Sequence, residues 1–196
     1  GEGEVIMSPL GWVSDVAASW SGDNWANSSN GAPDGSGPPT AAQNAQFDAN
    51  GTGNCTIDLA LDTVTNLVVN GYTAIIEFNG NSLRATGTVT LTTGTLNDNL
   101  GGSSLTVAST GVTTRFNGTT VGVRLDVTSD NIDFDGSTFT RYCAFDKTGT
   151  GNDYGSGGNV FQDTAIFLHS GTGGYLLLGG GTADTFNGFT SMNMPN

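Results

Sequence analysis

The stretch Phe116-Asn117-Gly118-Thr119-Thr120 returns as Phe134-Asp135-Gly136-Ser137-Thr138, loosely as Phe161-Gln162-Asp163-Thr164, and again as Phe186-Asn187-Gly188-Phe189-Thr190. The starts lie 18, 27 and 25 residues apart. Each copy orders an aromatic ring, a small amide or acid, usually a glycine, then a hydroxyl. Self-similarity at such a period marks a stacked architecture, in which one unit cannot bury its apolar face alone. The unit reads as the corner of a coil. Phe enters the core, Asn or Asp lines up with its counterpart on the next coil, and Gly supplies the positive φ of the turn. The expected ladder is therefore Phe116, Asn117, Gly118, Phe134, Asp135, Gly136, Phe161, Phe186, Asn187 and Gly188.

Around these corners the chain writes short β-strands. From Ser82 to Leu91, Leu83, Ala85, Gly87, Val89 and Leu91 share one parity, while Arg84, Thr86, Thr88 and Thr90 share the other. That period of two puts one face inward and one outward. Val121, Val123, Leu125 and Val127 alternate with Arg124 and Asp126 in the same way, and Phe139, Cys143 and Phe145 continue inward. Residues 148–158 read as a long polar loop projecting from the stack, and residues 175–178 as another apolar burst. Short strands at roughly 8–12-residue spacing fit a sandwich or a solenoid. The recurring corner decides for the solenoid: an all-β, single-stranded parallel β-helix.

Composition agrees. Among 196 residues, 36% are hydrophobic and 31 are Gly. Gly or Thr interrupts every window in which a helix would have to form. Net charge is −13, with only Arg84, Arg115, Arg124, Arg141 and Lys147 positive. The basic footprint that nucleic acid requires is missing, and anionic membranes are disfavoured for the same reason. No apolar run is long enough to span a bilayer as a helix. The chain starts at Gly1 without an apolar leader, which fits a removed signal peptide or a trimmed segment.

Residues 1–50 differ from the solenoid expected over 51–196. They hold all three tryptophans, Trp12, Trp20 and Trp25, followed by a polar loop over 27–39. Such a cluster either covers the open end of a hydrophobic stack or forms a sugar-stacking platform. The core energetics of large aromatics favour the cap. Residues 1–4 read as a frayed terminus. Cys55 and Cys143 are the only thiols. They pair only if the fold brings their Cα atoms within about 7 Å; as small hydrophobes they also suit the core unpaired.

The early pattern Trp20…Asn24-Trp25…Pro38-Pro39-Thr40…Ala45-Gln46-Phe47…Asn54-Cys55-Thr56-Ile57-Asp58…Leu67…Gly71-Tyr72 resembles the N-terminal region of large secreted bacterial repeat proteins. The later Phe-Asn-Gly-Thr-Thr units, Asp146-Lys147-Thr148-Gly149, Gly157-Gly158-Asn159 and Gly174-Tyr175-Leu176-Leu177-Leu178 look like their repeat blocks. These are adhesin-like, β-helical surface proteins of gliding or biofilm-forming bacteria. The resemblance covers most of residues 20–190. It implies a secreted, extracellular protein of the bacterial cell surface. It also implies self-association end to end, or a place in a longer repeat chain, with surface glycans as partners.

Residues that would carry chemistry are few. Asn131-Ile132-Asp133-Phe134-Asp135-Gly136 has the N-x-D-x-D-G spacing of a calcium loop, but Tyr142 stands where the bidentate Glu belongs. Calcium at Asn131, Asp133 and Asp135 is the only cofactor on offer. The plain alternative has Ile132 and Phe134 pointing in and the three polar side chains out. Asp126, Asp133, Asp135 and Asp146 could gather across coils beside Arg124 and Arg141, as a glycoside-cleaving site would need. No segment presents acid, base and substrate platform together, and His169 is the only histidine. Asn27-Ser28-Ser29, Asn54-Cys55-Thr56 and Asn117-Gly118-Thr119 match glycosylation sequons. Thr86, Thr88 and Thr90 form one Thr-x-Thr row, of the kind that ice-binding faces repeat. The expectation is a noncatalytic surface protein, an adhesin or a self-assembling fibre subunit. The alternative is a carbohydrate-active enzyme or glycan-binding module on the same fold.

Overall fold

The structure, a computed structural model, describes residues 9–28 and 31–194. The expectations for residues 1–4, and the end of the sequon at Ser29, lie outside the described residues. The chain winds through about seven turns of a β-solenoid with no helix among the described residues. Strands β1 (Leu10–Trp12) and β2 (Ala18–Ser19) open the first turn, and β3 (Trp25–Ala26) folds back along β1. Full coils follow as β4 (Ala45–Phe47), β5 (Cys55–Thr56), β6 (Leu61–Val64), then β7 (Leu67–Val69), β8 (Ile75–Glu77), β9 (Ser82–Ala85). The next are β10 (Val89–Leu91), β11 (Thr95–Asn97), β12 (Ser104–Ala108), and β13 (Thr113–Asn117), β14 (Thr120–Gly122), β15 (Arg124–Ser129). The last complete coil is β16 (Asn131–Asp135), β17 (Thr138–Phe139), β18 (Cys143–Lys147). Two shorter turns add β19 (Val160–Phe161) and β20 (Ala165–His169), then β21 (Thr185–Phe186) and β22 (Thr190–Asn193).

Every third strand stacks on its predecessor, so the coils build three sheets of seven, eight and seven strands. All pairs are parallel except β1 with β3. A parallel solenoid of this kind buries one face of each sheet in a shared core. The inward ladders are mainly aliphatic in the middle coils and aromatic later. Phe47, Val69, Leu91, Phe116 and Phe134 succeed one another in the first sheet. Cys55, Ile76, Leu96, Val121, Phe139, Phe161 and Phe186 do so in the second.

The anticipated corner ladder divides in two. Phe116 and Asn117 sit in register on Phe134 and Asp135, and Gly118 and Gly136 turn with φ of 61° and 60°. Phe161 and Phe186 belong instead to the second sheet, above Phe139. The coils here differ in length, and the extra residues are inserted at the first-sheet corner, so a motif match by spacing jumps to the next sheet. Gly188 serves close approach rather than positive φ: a Cβ there would lie 2.4 Å from the Asp163 backbone.

Three further readings are corrected. Ser82 to Leu91 is two strands, β9 and β10, bent at Thr86-Gly87-Thr88. The alternation survives the bend because Gly87 is packed too tightly to carry a side chain; a Cβ would meet Asn66 Oδ1 at 2.4 Å. Residues 148–159 do not project. They replace the missing first-sheet strand, with Gly157 bridging Asp135 below and Thr182 above, and they take Asp153 and Asn159 into the interior. Residues 175–178 form no strand, although Leu176 and Leu178 pack against the core.

The N-terminal end is closed. Trp12, Trp20 and Trp25 are wholly buried over Phe47, with ring centroids 5.3 Å apart for Trp12–Trp25 and 4.8 Å for Trp20–Trp25. Each indole N–H finds an acceptor: Gly53 O for Trp12, an Asp62 carboxylate oxygen for Trp20, and Trp20 O for Trp25. Buried rings cannot stack on sugar, so the platform reading is set aside. The coil register begins at Leu10, inside 1–50, because β1 pairs in parallel with β4 and β2 with β5. Cap and solenoid are one continuous core.

Candidate functional site

The proposed calcium residues do not converge. Asn131, Asp133 and Asp135 occupy alternate positions of β16, about 6.6 Å apart along a straight strand, too far to surround one ion together. The side-chain oxygens of the first two are also engaged. Asn131 Oδ1 accepts from Lys147 Nζ at 2.8 Å. Asp133 pairs with Arg115 of the preceding coil at 2.9 Å and accepts the Tyr154 N–H. No group of three His, Cys, Asp or Glu side chains among the described residues could hold a metal.

The other acids are dispersed as well. Asp126 is held by Arg124 two residues before it in β15, through Nε at 2.8 Å and a second guanidinium nitrogen at 3.0 Å. Asp146 accepts from the Ser170 N–H and hydroxyl on the next turn. The row Thr86, Thr88, Thr90 is broken by the bend, while threonines line up along the solenoid axis instead: Thr95, Thr120 and Thr138 are in register on the second sheet. Cys55 and Cys143 are buried, unpaired and on different sheets. Burial pushes the Cys143 thiol up to about 12 and the Cys55 thiol well above its ordinary value.

One groove gathers polar and aromatic side chains. It runs along the corner between the second and third sheets, where Asp98, residues 101–103, Arg124, Arg141, Tyr142 and Asp163 meet around about 240 Å³. The Arg124 guanidinium lies 4.2 Å from the centre of the Tyr142 ring, fixing that ring by cation–π attraction. Asp98 is nearly buried and takes N–H bonds from Gly80, Gly101 and Ser103, which set the shape of the loop. Burial alone would raise the Asp98 carboxyl, but these three donors outweigh it and hold it below its ordinary value. Ser103 Oγ is buried with no partner, and Arg141 takes part in none of the ion pairs among the described residues. The groove offers an aromatic edge, the Arg141 guanidinium and the exposed Asp163 carboxylate.

A second cluster lies inside the solenoid, where the third sheet turns into the first. Lys147 ends β18, stacked between Ser129 and His169, and its side chain is fully buried. Lys147 Nζ donates to Asp130 O and Asn131 Oδ1, both at 2.8 Å, and to Gly149 O at 3.3 Å. It also lies 3.3 Å from Asp153 Oδ1. Burial, above all, raises the Asp153 carboxyl to about 6, against the lowering effect of the Ile132 N–H and of Lys147. His169 is an inward residue of β20, its Nε2 buried without a partner.

Sequence reasoning missed this interior polar column. Its inward parity was visible, since Cys143, Phe145 and Lys147 alternate. A lysine on an apolar face is usually read as solvated, and its acceptors come from residues 130–131, 149 and 153, which only the winding brings together. Side-chain amide contacts between coils fall at positions other than Asn117 and Asp135: from Asn66 to Asn44 at 2.8 Å, from Asn97 to Glu77 at 2.9 Å and from Asn159 to Asp184 at 2.9 Å. No protein-family model matches this sequence, and no curated protein or solved structure is similar enough to count as a relative.

Proposed function

We propose that this chain is a noncatalytic β-solenoid segment of an extracellular bacterial surface protein, acting in adhesion or as part of a fibre. The observation that carries the reading is the difference between the two ends of the described rod. The Trp-rich end is closed. The last rung leaves the outer edges of β21 and β22 unpaired, and Phe189, Met192 and Met194 are 68%, 52% and 41% exposed there. Unpaired strand edges beside apolar side chains template another strand. That rung therefore takes a further coil, from a continuing chain or from a second copy. The acidic charge and the resemblance to adhesin-like repeat proteins support the bacterial exterior as its place.

Two copies that meet through their last rungs form a two-fold dimer, because each presents the same edge to the other. Sedimentation of the purified chain should show dimers that dissociate on Phe189→Asp together with Met192→Asp. Cells lacking the protein should attach poorly. A strict monomer at high concentration, with normal attachment of deleted cells, would remove this reading.

The groove at Tyr142 favours a second reading, a glycan-binding module. Sugar rings stack on aromatic edges, and their hydroxyls pair with Arg and Asp. Titration with neutral and acidic polysaccharides should then show binding that is lost in Arg141→Ala and Tyr142→Ala. Release of reducing ends or unsaturated products would instead establish an enzyme.

A further inference from the structure

Lys147 Nζ, the Asn131 side-chain amide and the Asp153 carboxyl meet in one buried cluster at the point where a coil closes on its own start. The 2.8 Å contact from Nζ to Asn131 Oδ1 and the 3.3 Å contact to Asp153 Oδ1 put a primary amine between an amide electrophile and a carboxyl group. The Ile132 N–H, next in sequence to Asn131, holds Asp153 Oδ1 at 3.1 Å. Asp153 Oδ2 is buried and has no hydrogen-bond partner. A structural ion pair would satisfy both carboxylate oxygens, because an unpaired buried oxygen is costly.

We propose that Lys147 and Asn131 become joined by an intramolecular amide bond, with Asp153 as the proton carrier. Asp153 takes a proton from Lys147 Nζ, giving a neutral amine and a neutral carboxylic acid. Burial penalises the separated charges of such a pair, and it raises the Asp153 carboxyl to about 6. A turn of the Asn131 amide about its Cβ–Cγ bond presents Cγ to the Nζ lone pair. The C–N bond forms, and Asp153 returns its proton to the departing Asn131 nitrogen. Asp153 then takes the surplus proton from the newly bonded Lys147 nitrogen, so the Asn131 amide group departs as ammonia and Asp153 is left as the neutral acid. One C–N bond is made and one broken, with no oxidant or reductant. Fixed proximity supplies most of the acceleration, as in other intramolecular acyl transfers.

The product has a structural meaning. Asn131 begins β16 and Lys147 ends β18, so the new bond closes one complete coil into a covalent ring. It also replaces a buried charge pair with a neutral amide.

Mass spectrometry of the intact purified chain tests this. The wild type should be lighter than its sequence by one ammonia, and proteolysis should release a branched peptide joining Asn131 to Lys147. Lys147→Met, Asn131→Ala and Asp153→Asn should each abolish the branch. Asn131→Asp should restore the same branch with loss of water instead. If these variants fold poorly, the wild-type peptide map alone decides. A wild type at full sequence mass overturns the proposal. So does a branch from Lys147 to Asp153, and so does ammonia loss confined to unbranched Asn-Gly steps, where a succinimide forms.

Discussion

Phe161 lies flat on Phe139, with ring centroids 4.9 Å apart and planes within 4° of parallel. The two rings belong to β19 and β17, paired in register. Phe161 also meets Phe186 in a stack at 5.0 Å and Phe134, Phe145 and Phe167 edge-on. Like Phe134 and Phe139, it is a residue at which the aromatic ladders of all three sheets touch. Phe161→Ala should therefore cost about 3–5 kcal/mol, the range for deleting a fully buried ring. Phe186→Ala, at a half-buried position one rung further on, should cost clearly less. Urea unfolding followed by circular dichroism compares them. Equal midpoint shifts would show that Phe161 is no hub.

The inward and outward parity of β12, β15 and β18 was legible because strand alternation needs only the local chain. The solenoid itself was legible because identical corners stack, as Phe116 on Phe134 and Asn117 on Asp135 show. What could not be read is which sheet a given burst joins. Phe161 matches Phe134 in sequence but stands on Phe139, since residues 148–159 fill a strand's place without being a strand. The same insertion hid Asp153, whose burial depends on a loop folding inward to meet Lys147. The groove at Tyr142 was half visible. The sequence suggests Arg124, Arg141 and Asp126 as neighbours across coils, but the stack of Arg124 on Tyr142 joins residues from different coils.

The cap rests on one glycine. Gly53 O accepts from Trp12 Nε1 at 3.1 Å and from the Tyr72 hydroxyl at 2.7 Å, and a Cβ at Gly53 would lie 2.0 Å from Val16 O. Backbone on both sides must move to admit a methyl group. Gly53→Ala should thus loosen the Trp cluster, and since all three tryptophans sit there, their emission should shift to longer wavelength. Gly136→Ala is the contrast. Its Cβ would meet nothing within 4 Å, and only the positive φ of 60° is strained, a cost of about 1–2 kcal/mol. Its tryptophan spectrum should match the wild type. A red shift in both variants, or in neither, would refute the cap as a tightly packed unit.

Asp98 joins two coils through charge. Its Oδ1 accepts from Gly80 on the coil below and Gly101 on its own loop, both at 3.1 Å, and Oδ2 accepts from Ser103 at 3.0 Å. Hydrogen bonds to the ionised form hold the folded carboxyl below its ordinary value of 3.8. The folded state then binds this proton less readily than the unfolded one, so the contribution to stability is complete above 3.8 and is lost as pH falls through the depressed value. Asp98→Asn keeps the shape but removes the charge and turns one acceptor into a donor facing an N–H. At neutral pH the loss should be about 1–3 kcal/mol, the cost of unmaking buried hydrogen bonds to a charged group. As pH falls from 3.8 through the depressed value the gap between the two proteins should narrow, because the folded wild type then becomes protonated as well. Urea midpoints measured from neutral pH into acid read this directly. A gap that stays constant across the range would mean that Asp98 holds the loop by shape rather than by charge.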